Sequence, residues 1–160
     1  MKRHGQSGAV ALEFALIASA FAMLMLVAIE AGWQMVIDAA LQSGARAASR
    51  FGTTGAIAPA GMTPQPLSRS DSIVQIIIHN SGGLLRSSRL QIAETSYASF
   101  AAMAAGAAAT PGLGNAGQVV QYTFSYTQPV LTPLAAAVIG DSQLAHRVVT
   151  TVLNEPYPSN

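Results

Sequence analysis

An apolar run from Ala9 to Ile29, broken by a single ionisable residue, Glu13, constrains this chain more than any other feature of its 160 residues. A helix that crosses a bilayer needs roughly 20 such residues at about 1.5 Å of rise each, so the run can span a membrane. Lys2 and Arg3 precede it, whereas Glu30 and Asp38 follow it. The positive-inside rule then predicts a cytoplasmic N-terminus and an exported remainder, anchored by one pass in the cytoplasmic (inner) membrane.

Composition narrows the rest. With 51% apolar and 9% charged residues, the chain is too hydrophobic for a disordered protein. A formal charge of +1 offers a nucleic acid no electrostatic attraction. The absence of cysteine removes thiol nucleophiles, Cys-ligated zinc and disulfides together.

Glu13 separates three readings of the N-terminus. A secretory signal would place its cleavage at a small-residue site such as Ala18-Ser19-Ala20 or Ala20-Phe21-Ala22, yet Glu13 would then interrupt its apolar core. A plain signal anchor explains the length and the basic flank. It leaves a carboxylate in lipid at about 2.5–3.5 kcal/mol near the helix centre, less near an end. In the third reading the chain is cut after Gly8, and the new α-amine of Ala9 lies one helical turn before Glu13. At i, i+4 spacing the two share a face and neutralise one another, within a chain or between neighbours. The carboxylate also faces the positive end of the helix dipole.

A short basic leader, Gly8, the apolar residues Ala9, Val10, Ala11 and Leu12, and then Glu13-Phe14 ahead of a long apolar helix resemble the prepilin processing motif. The stretch from Gly8 to Ile17 is similar to the TadE/TadG-like proteins of Tad (Flp-type) pilus assembly. The resemblance implies a cut between Gly8 and Ala9 by a membrane prepilin peptidase. It further implies an assembly role for Glu13 and Phe14 and a non-enzymatic minor pilin or pseudopilin. Its partners would be membrane lipid, the peptidase, other pilins and the Tad assembly platform, with no cofactor, metal or small-molecule substrate.

The helical period continues past Glu30. Trp33, Val36, Ile37, Ala40, Leu41, Ala48 and Phe51 form an apolar stripe, and Gln34, Asp38, Gln42, Arg46 and Arg50 a polar row. The helix is expected to run from Ala9 to Phe51, with Gly52 as its C′ stop. Two rows of small residues recur at i+4. Ala11, Ala15 and Ser19 suit a partner helix in the membrane. Ala40, Gly44, Ala48 and Gly52 suit packing on the chain's own sheet.

The expected organisation is a leader over residues 1–8, a membrane helix over 9–29, its amphipathic continuation over 30–52, a Pro/Gly-rich linker over 53–70 and an exported α+β domain over 71–160. Within that domain Asp71 to Ser81 is ambiguous. Its isoleucines favour a strand by propensity, but the apolar spacing and the family resemblance select a helix. Strands are expected over Arg89 to Tyr97, Gln118 to Gln128 and Leu144 to Leu153, with a helical turn over Leu134 to Ile139. Ala98 to Gly117 reads as a long connection. The whole is a long helix backed by an antiparallel sheet of about three strands. The pattern from Tyr122 through Pro133-Leu134 and Val148 to Tyr157 also resembles the end of TadE-like proteins.

Other chemistry finds little support. Gly112-Leu113-Gly114-Asn115-Ala116-Gly117 spells GxGxxG, but it precedes a strand instead of opening a helix, so it reads as a glycine-rich turn. His4, His79 and His146 have no metal-ligand spacing, no GxSxG is present, and Lys2 is the sole lysine. Asp71 suits helix capping and Asp141 a turn, and Glu94 and Glu155 suit solvent or ion pairing. Trp33, Tyr122, Phe124 and Tyr126 suit a core or membrane interface better than an aromatic ligand face. Two alternatives of another class remain: an unprocessed, membrane-anchored module that binds an envelope ligand, and an enzyme built on a polar pocket among Asp71, His79, Glu94 and His146.

Overall fold

The computed structural model describes residues 5–59 and 68–156, with side chains from Gly8 onward. Lys2, Arg3 and His4 of the leader, Pro64 and Pro66 of the linker, and Tyr157 lie outside the described residues.

Helix α1 runs unbroken from Gly5 to Gly52, so it starts earlier than the expected Ala9 and takes in the end of the leader. Its C-terminus also differs from expectation. Gly52 is the last helical residue and has no positive φ; the chain turns through Thr53 and Thr54, and Gly55 carries the left-handed φ of 70°. Two compact units share α1. One holds α1 as far as Met35 together with Pro129–Gln143; the other holds Val36–Gln128 and the chain from Leu144 onward.

In the larger unit α1 buries Ile37, Leu41, Ala45 and Ala48, a stripe at helical spacing. On its polar row the Gln42 amide donates to Asp38 Oδ2 at 2.6 Å, an i, i+4 pair. Helix α2, Arg69–Asn80, settles the ambiguous isoleucine run. Ser68 caps it by accepting from Asp71 N at 3.1 Å and donating to Asp71 Oδ2 at 2.7 Å. Asp71 therefore completes the cap that Ser68 provides, whereas the sequence suggested Asp71 as the cap itself. Ile73, Ile76 and Ile77 are buried at i, i+3 and i+4, a pattern that strand alternation cannot produce.

After a 3-10 turn at Ser87–Arg89 comes the sheet: β1 (Leu90–Tyr97), β2 (Thr110–Pro111), β3 (Val119–Pro129) and β4 (Gln143–Leu153), in the order β2-β1-β3-β4. The fold class is α+β with a four-stranded antiparallel sheet. β1 pairs with β3 from Leu90 opposite Tyr126 to Tyr97 opposite Val119. The fourth strand, unforeseen, arises inside the Ala/Gly-rich connection. That connection also folds into α3, Phe100–Ala104, capped by Ser99. β2 is two residues long and pairs Thr110 with Ser96 and Pro111 with Thr95. Proline is tolerated there because β2 is an edge, where a missing N–H breaks no ladder on the outer side.

β3 supplies the core's centre. Val120, Tyr122, Phe124 and Tyr126 alternate inward and are at most 1% exposed, and Tyr122 stacks on Phe124 with ring centroids 5.8 Å apart. The small-residue row of α1 explains how the helix approaches so closely. A Cβ at Gly44 would lie 3.0 Å from the Ile77 carbonyl oxygen of α2, and one at Gly52 would lie 2.9 Å from Tyr122 Cζ. The row thus meets α2 as well as the sheet, where sequence reasoning assigned it to the sheet alone. Gly52→Ala is expected to destabilise this unit by about 1–3 kcal/mol through overpacking against a buried ring that has no room to move. Chemical denaturation in detergent measures it, and an unchanged midpoint would contradict the close approach.

In the smaller unit α4, Pro133–Ile139, connects β3 to β4. Thr132 caps it by accepting from Ala135 N, Pro133 occupies its first turn, and Gly140 ends it at φ 82°.

Candidate functional site

The residues singled out in the membrane-capable segment all lie on α1. Gly8, Ala9, Glu13 and Phe14 are exposed, with Ala9 and Glu13 one turn apart on one face. A Cβ added at Gly8 would meet nothing within 4 Å. No packing requirement in this fold therefore accounts for glycine at that position. Ala11, Ala15 and Ser19 form an exposed row, and Ser19 Oγ donates back to Leu16 O at 2.9 Å, which leaves the row's small profile free for a neighbour.

Around this row Val10, Leu12, Phe14, Leu16, Ile17, Phe21 and Leu24 are each at least 62% exposed. Such a continuous apolar surface on every side of a helix fits lipid better than water. The helix is long and apolar enough to cross a membrane.

Glu30 closes the apolar run, and sequence reasoning assigned it no role. It is 4% exposed. Its Oε1 accepts from the Gln34 amide at 2.6 Å, and its Oε2 accepts from the backbone N–H of Leu131 at 2.8 Å. Gln34 at i+4 was a local signal of pairing. The Leu131 partner lies far along the chain and left no trace in the sequence pattern.

In the larger unit Glu94 and His146 have structural partners. The Ser70 hydroxyl donates to both Glu94 oxygens at 3.1 and 3.0 Å. Burial pushes the Glu94 carboxyl above its ordinary range, opposed by that hydroxyl and by the nearby Arg69 charge. His146 Nδ1 lies 3.6 Å from Asp38 Oδ1, while His79 is exposed. In the smaller unit the Asp141 side chain accepts from Gln143 N at 3.0 Å and shapes the turn before β4.

The GxGxxG segment is a turn, as its context required. Asn154, 1% exposed, donates to the carbonyls of Leu113 and Asn115 at 2.9 and 3.0 Å. Gly114 sits at φ 62° with Ser96 Cβ so near that any side chain would collide. Beside it a cavity of about 440 Å³ opens, lined by Ser96, Tyr97, Thr110, Gly112, Asn115 and Gln118 among others. Asp71, His79, Glu94 and His146 do not line it. Among the described residues no three His, Asp or Glu side chains gather in a metal-binding group.

Comparison with known proteins bears on the helix alone. The family model described as TadE-like protein matches residues 8–50. No curated protein and no solved structure matches the chain. The matched segment holds Gly8, Glu13, the whole apolar run and Glu30, and over it the chain is similar to TadE-like proteins.

Proposed function

We propose that this chain is a minor pilin or pseudopilin of a Tad-type pilus assembly or secretion system, matured by a prepilin peptidase between Gly8 and Ala9. Its role is structural, with no catalysis of its own. It is anchored in the cytoplasmic membrane with Lys2 and Arg3 on the cytoplasmic side and the sheet domain outside, alongside other pilins and the assembly platform.

The spacing of Gly8, Ala9 and Glu13 at the head of an apolar run, Ala9 to Ile29, that is otherwise uncharged carries this reading. An unpaired carboxylate in lipid is costly, and a cation one turn away on the same face offsets that cost. Cleavage after Gly8 creates that cation as the Ala9 amine. In the uncut chain the bond lies within the first turns of α1, between Gly5 and the apolar run. Glycine disfavours helix by about 1 kcal/mol relative to alanine, so Gly5 and Gly8 let this end open for a peptidase.

Intact-mass measurement and N-terminal sequencing from cells with and without the peptidase test the proposal. The expected result is a chain beginning at Ala9 only where the peptidase is active, and a full-length Gly8→Ala variant in both. Because a Cβ at Gly8 meets no neighbour, that variant keeps its fold, and its retention of the leader reports recognition alone. A leader retained in the presence of active peptidase would instead favour the unprocessed ligand-binding module.

A further inference from the structure

The connection from Val130 to Gly140 ends the uncharged stretch that begins at Thr95, and it leaves Leu131 49%, Val138 73% and Ile139 45% exposed. An isolated exposed leucine needs no explanation, but three large apolar side chains on one short uncharged segment form a patch. The segment belongs to the same compact unit as the membrane-capable part of α1. Glu30, the residue directly after the apolar run, holds it there by accepting the Leu131 N–H at 2.8 Å.

Its backbone is suited to a dry environment. Val130 N donates to Ser142 O at 3.0 Å, Thr132 Oγ1 caps α4 through Ala135 N, and Gly140 N closes the helix on Ala136 O at 2.9 Å. A segment that enters the lipid boundary must satisfy its N–H groups internally, because lipid tails supply no acceptors. Asp141 and Ser142 mark where polarity returns. Trp33, one turn beyond Glu30, is the residue type that favours the headgroup level.

We propose that Val130–Gly140 is a second membrane contact: a short apolar wedge, tied by Glu30 to the point where α1 leaves the bilayer, that rests Leu131, Val138 and Ile139 in the boundary between headgroups and acyl chains. Its occupant is the lipid surface itself. The segment shares a compact unit with the membrane-capable part of α1 and is bonded to its end at Leu131, and apolar side chains on an uncharged segment are what that boundary accepts. The wedge fixes the depth and the rotation of α1, because a helix alone is free to turn about its own axis in lipid. The inference rests on α1 being a membrane anchor.

The chain has no cysteine, so each single-cysteine variant labels one site. Full-length protein carrying Val138→Cys, Ile139→Cys or Leu24→Cys is labelled with an environment-sensitive fluorophore. It is then reconstituted in vesicles of phosphatidylcholine and phosphatidylglycerol. Lipids with a quencher near the headgroup or deep in the chain report depth, and iodide reports water. The expected result is deep quenching at Leu24, shallow quenching at Val138 and Ile139, and iodide access at both wedge positions several-fold below that of the free dye-cysteine adduct. Glu30→Ala, in the Ile139→Cys background, is expected to restore iodide access by releasing the segment.

If Leu24 is quenched while Val138 and Ile139 stay as open to iodide as the free adduct, the wedge is wrong and the anchor stands. Protection from iodide without lipid quenching means that a second protein copy covers the patch, and this also overturns the proposal. Loss of quenching at Leu24 itself overturns the anchor and the wedge together.

Discussion

Phe124→Ala is expected to destabilise the sheet-bearing unit by about 3–5 kcal/mol, the range for removing a large aromatic from a packed core. Phe124 is fully buried on β3, which has β1 on one side and β4 on the other. It stands opposite Ile92 in the β1 ladder, and its ring stacks on Tyr122. Truncation therefore loses the apolar area of the ring, the stacking contact and the support of a buried neighbour at once. A domain held by about 5–15 kcal/mol loses a large share of its stability in one substitution. Denaturant titration of the detergent-solubilised chain, followed by aromatic circular dichroism, gives the value. Val149→Ala on β4, where the side chain is 50% exposed, is expected to cost under about 0.5 kcal/mol and serves as the reference. Equal midpoints for the two variants would mean that the β3 aromatics do not form the core.

If the chain is a processed pilin as proposed, Glu13→Ala is expected to leave leader removal intact and to reduce co-isolation with other pilins by more than about tenfold, the effect of losing about 1.4 kcal/mol or more at an interface. Removing a carboxylate from an apolar helix makes membrane insertion easier, by up to about 2.5–3.5 kcal/mol, so the variant stays in the bilayer. A loss of assembly then comes from the missing partner of the Ala9 amine and not from failed insertion. Glu13 is exposed on α1, and the sheet unit's core contains no residue near it in sequence, so the thermal transition of that unit should not move. Combining Glu13→Ala with Gly8→Ala supplies the check. If the amine and the carboxylate act as a pair, the double variant loses no more than the worse single variant. Normal co-isolation of Glu13→Ala would remove the assembly role and favour a ligand-binding module.

The two ends of α1 have different duties, and a single unbroken helix joins them. Before Glu30 its apolar residues face outward on all sides and match lipid. After Met35 one stripe, Ile37, Leu41, Ala45 and Ala48, turns inward while Asp38, Gln42, Arg46 and Arg50 stay on the polar row. Glu30 stands at the change and is satisfied by its neighbour Gln34 and by the remote Leu131 backbone. A buried carboxylate that loses such partners is strongly penalised, so the position ties the helix to the β3–β4 connection as well as marking the limit of the apolar run.

Much of this was legible in the residues because the signals were periodic and local. The length of the apolar run, the i, i+4 relation of Ala9 and Glu13, the alternation of Val120, Tyr122, Phe124 and Tyr126, and the helical turn over Leu134 to Ile139 each follow from rules acting over a few residues. The isoleucines of α2 were ambiguous because β-branched propensity opposed helical spacing. Burial of one face decided between them. The strand β2 was hidden because Thr110 and Pro111 have no alternation to display and pair only because Thr95 and Ser96 present a free edge. Gly52 reads both as a helix stop and as part of a small-residue row packing on the sheet, and the Tyr122 ring of β3 that passes over it bears out the second.

From the order of its residues alone, the protein is set as a single apolar helix with a processing-like head, a polar row beyond the lipid and a few short strands, since hydrophobic period and charge placement act along the chain. The fold decided what the small residues touch, which acid is buried, and where the uncharged β3–β4 connection lies, because each of these depends on side chains brought together from distant positions. A Leu131 amide meeting the Glu30 carboxylate is invisible to any local rule, yet it ties the uncharged β3–β4 connection to the end of the apolar run of α1.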